Sequence, residues 1–91
     1  MKFSEEQKEI IINAGAFDYD LNKIANILDV DCKELKQQYK NINSEFYQLF
    51  KKGKDRFDYA IDNKLFQMAR NGDIKALEKL EQRERIRKSK G

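Results

Sequence analysis

Lys33, Lys36, Gln37 and Lys40 recur at helical spacing within residues 20–41, DLNKIANILDVDCKELKQQYKN. At 3.6 residues per turn that spacing sets all four on one face of a helix. Lysine ammonium groups and glutamine amides donate to the acceptors on guanine and adenine edges in a major groove, and lysine attracts phosphate anywhere. The four residues are therefore predicted to contact nucleic acid. A solvated helix face, with Glu34 and Asp31 balancing the lysines, is the plainer alternative.

Such a face needs an element to present it, and the flanking residues describe a helix-turn-helix. Asp20 is placed to cap a helix in which Leu21, Ile24, Ala25 and Leu28 recur at helical spacing. Asp29-Val30 breaks that period. Asp31, with Glu34 three residues on, predicts a capping box opening a second helix from about Cys32 to Lys40. Ala25 is small enough for two helices to cross closely, and Asp29 stands where the turn needs a left-handed residue. Val30 is then the buried turn residue and Leu35 the apolar anchor of the second helix. Cys32 reads as a small residue at a helix start rather than a reactive thiol.

Upstream, Ser4 and Gln7 predict a capping box, Ile10, Ile11 and Ala14 an apolar face, and Gly15 a left-handed C-cap. Phe17 is expected to plug the base of the core. These helices predict a three-helix helix-turn-helix unit over residues 1–42.

Downstream, Ser44 is an N-cap for a helix from Glu45 to about Asn71, a length of about 40 Å at 1.5 Å per residue. Gly53 is its weak point and the expected site of a bend. Asn71-Gly72-Asp73 combines a C-cap glycine with an N-cap aspartate, which predicts a sharp reversal. Ile74, Leu77 and Leu80 are expected to pack back on Phe57, Ile61, Leu65 and Met68. The predicted fold is thus all-α, the trihelical unit followed by a long antiparallel helical hairpin at 43–87 and a disordered basic tail at 88–91. Phe46, Tyr47, Phe50, Phe57, Tyr59 and Phe66 all fall on the long helix, more aromatic surface than one returning helix covers. Phe50, Phe57, Ile61, Leu65 and Met68 are therefore predicted to form an oligomer interface.

Charge is unevenly spread. Residues 1–41 hold six Lys and eight acidic side chains, net −2, whereas residues 42–91 hold thirteen basic and eight acidic, net +5. An acidic first half is a poor match to a phosphate backbone by itself. Lys51, Lys52 and Lys54, with Arg83, Arg85 and Arg87, are candidate phosphate contacts that supply what the first half lacks; a solvated face is again the alternative.

Histidine is absent, removing the commonest general base and metal ligand, and there is no Gly-rich phosphate loop. No enzyme activity, cofactor or metal is expected. The lone Cys32 suits a reducing cytosol, no apolar run approaches a membrane span, and Met1-Lys2-Phe3-Ser4 leads straight into an acidic helix, which predicts no signal peptide.

Two segments, ILDVDCKELKQQY and DNKLFQMARNGDIKALEKLEQRER, resemble the small terminase subunits of tailed bacteriophages and prophages. In that family a helix-turn-helix domain precedes a helical hairpin, and the hairpins assemble into a ring. The resemblance implies a non-catalytic subunit that recognises double-stranded DNA for genome packaging in the cytoplasm of a bacterial host. It also implies a homo-oligomer and a large terminase subunit that supplies the catalysis. At 91 residues the chain is short for the family, with a basic stub after the hairpin. Two rival readings stand beside it: a small dimeric helix-turn-helix transcriptional regulator, and a protein-interaction adaptor that never touches DNA.

Overall fold

Ser4 opens the first helix through a complete capping box: its hydroxyl accepts from the Gln7 N–H while the Gln7 side chain accepts from the Ser4 N–H. From there the chain is all-α. The computed structural model describes residues 1–90, with side chains through Lys88, as α1 (Glu5–Phe17), α2 (Leu21–Leu28), α3 (Cys32–Lys40), α4 (Glu45–Arg70) and α5 (Ile74–Lys90). Two compact units divide after Phe57. The boundary therefore lies well beyond the expected residue 42, because the first half of α4 completes the N-terminal core.

That core holds Ile11 and Ala14 of α1, Ile24, Ala25 and Leu28 of α2, Leu35 of α3, and Phe46 and Phe50 of α4. Phe46 and Phe50 stack at 6.0 Å between ring centroids, and Tyr39 meets Phe50 edge-on at 5.6 Å. Such pairs add to the burial of their large apolar surface. Phe50 is only 4% exposed, so the oligomer-interface role expected of it is corrected: it is a core residue of its own subunit.

Glycine explains how α4 comes so close to α1. A Cβ at Gly15 would sit 2.0 Å from the Phe50 carbonyl oxygen, and one at Gly53 would sit 1.8 Å from the Ile12 carbonyl oxygen. The two backbones touch, each through the other's glycine. Gly53 therefore marks a helix crossing, and α4 runs unbroken through the expected bend. Gly15 likewise lies inside α1. The left-handed C-cap is Asp18 (φ 57°), whose N–H donates to the Ala14 and Gly15 carbonyls. This shift carries Phe17 outward, 62% exposed rather than plugging the core.

The second unit contains the rest of α4 and α5, joined by the expected reversal. Gly72 has φ +96°, and the Asp73 carboxylate accepts from the Ala76 N–H at 3.1 Å. The inward face of α5 is one register away from that expected. Ala76 is buried and Leu80 half-buried, while Ile74 and Leu77 are exposed. On α4, Ile61 and Leu65 are half-buried, and Phe57 and Met68 are exposed. Helix α5 continues to Lys90, so residues 88–90 are helical instead of disordered; residue 91 lies outside the described residues.

Candidate nucleic-acid interface

Helix α3 is set by its caps and a single anchor. Asp29 adopts φ 56°, ψ 51°, the left-handed turn predicted for it, and the Val30 N–H donates to the Ala25 carbonyl at 3.1 Å. Val30 itself is half-buried. The Asp31 carboxylate accepts from the Lys33 N–H at 2.8 Å, which caps α3 directly and not through the expected box with Glu34. At the far end, the Ser44 hydroxyl donates to the Gln38 carbonyl at 2.6 Å and accepts from the Tyr47 N–H, tying the exit of α3 to the start of α4. Leu35 is fully buried.

With Leu35 inward, rotation by 100° per residue turns Lys33, Lys36, Gln37 and Lys40 to the opposite side. All four are exposed, so the structure brings together the residues the spacing had grouped. Among the described residues none of these lysines takes part in an ion pair, with Glu34, Asp31 or any other acid. No acidic residue stands three or four positions from Lys36 or Lys40, and the two lysines repel one another at i,i+4. Cys32 donates its thiol to the Asn22 side-chain oxygen at 2.8 Å, a link between the two helices of the motif.

Most candidate phosphate contacts elsewhere are engaged with acids. Lys51 pairs with Asp55 at 3.1 Å, Lys54 with Asp18 at 2.8 Å and Arg85 with Glu81 at 4.0 Å. Arg83 bonds Asp62 at 2.7 Å and Asp58 at 3.2 Å, and Arg87 also bonds Asp62. Burial pushes the Asp62 carboxyl upward, but the hydrogen bonds and charge of Arg83 and Arg87 outweigh it and hold the group below its ordinary value. Arg83 is correspondingly raised, chiefly by its hydrogen bond to Asp62. These arginines clasp α5 to α4. Lys52 lies in a groove lined by Glu5, Glu6 and Glu9.

The charge objection to the first half also changes with the unit boundary. Residues 1–57 contain ten basic and ten acidic side chains, net 0, and residues 58–91 contain nine and six, net +3. Lys51, Lys52, Lys54 and Arg56 belong to the unit that carries α3.

Among the described residues, no helix is long and apolar enough to cross a membrane and no group of three or more acidic or cysteine side chains could hold a metal ion. Comparison with protein-family models, curated proteins and solved structures yielded no match.

Proposed function

We propose that this protein is a non-catalytic, oligomeric DNA-recognition subunit of the kind that begins viral genome packaging in a bacterial cytoplasm, its α3 face contacting double-stranded DNA. The observation that carries the reading is the exposed, unpaired set Lys33, Lys36, Gln37 and Lys40, held opposite the Leu35 anchor behind a left-handed turn. Lysines that enter no ion pair keep their attraction for phosphate and for base-edge acceptors, and Lys36 and Lys40 have no acid three or four residues away. The hairpin is the oligomerising element in this reading. In the part of it beyond Phe57, Ala76 is the only buried apolar side chain among the described residues, whereas Tyr59, Phe66, Met68 and Leu77 are exposed. A second copy would cover that surface and multiply weak contacts by avidity. The packaging role and the catalytic large-subunit partner rest on the resemblance of residues 27–39 and 62–85 to small terminase subunits.

The test is duplex binding at two salt concentrations by the parent and by Lys33→Glu with Lys36→Glu. Binding should be salt-sensitive in the parent and lost in the double variant, while light scattering finds the same mass, larger than a dimer, for both. Unchanged binding would leave the helix-turn-helix as architecture and move the adaptor reading ahead. A dimer would favour a transcriptional regulator, whose two-fold symmetry asks for palindromic sites.

A further inference from the structure

Ion pairing sorts the basic side chains of the second unit into two groups. Arg83, Arg85, Arg87 and Lys88 all pair with acids, and Arg70 lies over the Phe66 ring at 5.7 Å. Lys64, Lys75 and Lys79 are exposed and, among the described residues, enter no ion pair. Sequence context accounts for part of the difference, and the reach of Arg83 and Arg87 across to Asp58 and Asp62 for another part. Arg85 and Lys88 have a glutamate four residues earlier; Lys64 and Lys79 have no acid three or four residues away, and Glu78 stands three from Lys75 without pairing.

The three lysines also share a side of the hairpin. On α4 the half-buried Ile61, Asp62, Leu65 and Ala69 face α5, with Tyr59 and Phe66 flanking them on one side and Lys64 and Met68 on the other. On α5 Ala76, Leu80 and Arg83 face α4, flanked by Leu77 and Glu84 on one side and Lys75 and Lys79 on the other. Tyr59, Phe66, Leu80 and Glu84 line one common groove, so those two flanks meet. In an antiparallel pair the remaining flanks then meet on the opposite side. That side gathers Lys64, Lys75 and Lys79.

We infer that Lys64, Lys75 and Lys79 form a second nucleic-acid surface that grips the phosphate backbone without reading sequence. Lys75 and Lys79 repel each other one turn apart, Glu78 and Glu81 beside them enter no ion pair with either, and a polyanion is the ligand that reverses the sign of that cost. Point charges on flexible stems suit phosphate and carry no base code. The inference rests on the DNA-recognition reading and adds to it a contact made by the hairpin itself.

The test compares duplex binding of the parent, of Lys64→Gln/Lys75→Gln/Lys79→Gln, of its two-charge subset Lys75→Gln/Lys79→Gln, and of a control matched in charge to that subset, Arg85→Gln/Lys88→Gln, across a salt series. Each phosphate contact contributes about 0.9 to the slope of log K against log salt. The triple variant should lose up to about 2.7 from that slope per subunit bound, equally on unrelated duplex sequences. The control should stay near the parent. A triple variant with the parent's slope and affinity overturns the inference while leaving the α3 reading intact. So does a triple variant that loses its oligomeric mass, which would make this side a contact between copies. A parent that binds no duplex overturns both readings, and the Lys33→Glu/Lys36→Glu variant tests the α3 reading alone.

Discussion

Helices α3 and α5 are both rich in cations, yet they stand in opposite relations to their neighbours. Helix α3 is fixed by apolar burial at Leu35 and by caps at both ends, so Lys33, Lys36 and Lys40 have no part in holding it. Among its described side chains helix α5 buries only Ala76, and Arg83 and Arg87 reach across to Asp58 and Asp62 to secure it. Where an apolar anchor sets an element, its charges stay available to a partner. Where the anchor is small, charges become part of the fold.

The largest effect that would sharpen this contrast is at the anchors. Leu35→Ala should cost about 3 kcal/mol, since it empties a fully buried site, and Leu80→Ala should cost about 1 kcal/mol at its half-buried one. Chemical denaturation of each variant measures both. Equal costs would mean that α3 is no more firmly anchored than α5.

The reversal between α4 and α5 comes next. Gly72→Val should destabilise the second unit by about 1–2 kcal/mol, because a β-branched residue is strained at positive φ. Nothing lies within 4 Å of a Cβ there, so the cost is purely of backbone conformation. A thermal midpoint equal to the parent's would place the strain elsewhere.

Smaller effects separate the two sets of cations. Arg83→Gln should lower stability by about 1 kcal/mol, and Lys36→Gln should stay within about 0.5 kcal/mol of the parent. The Asp62 clasp also predicts a pH dependence. Its carboxyl is depressed in the folded state, so its contribution is complete above the ordinary value of 3.8 and is lost as pH falls through the lower folded value. Acid titration of helicity should therefore show a loss in the parent that is shallower in Arg83→Gln. An identical acid profile would remove Asp62 from the account.

Local signals carried much of this fold. The Ser4–Gln7 box, the left-handed Asp29, the Ser44 cap and the Gly72-Asp73 reversal each depend on residues a few positions apart, and all stand where their types place them. What sequence periodicity missed depended on contacts between distant segments. Gly15 and Gly53 read as a cap and a bend, because nothing local says that each meets a carbonyl oxygen of the other helix. Phe50 read as surplus because the trihelical core that receives it lies earlier in the chain. The exposed face of α3 was legible from spacing alone. The engagement of Arg83 and Arg87 was not, since their partners Asp58 and Asp62 lie more than twenty residues away. For Lys64 and Lys79 a signal existed: the lack of an acid three or four residues away.

Lysine-modification footprinting with and without duplex, read by mass spectrometry, tests the difference between available and engaged cations most directly. Lys33, Lys36 and Lys40 should become protected when DNA is added, while Lys51 and Lys54, already paired with Asp55 and Asp18, should change little. Protection at Lys51 and Lys54 with α3 unchanged would contradict the account.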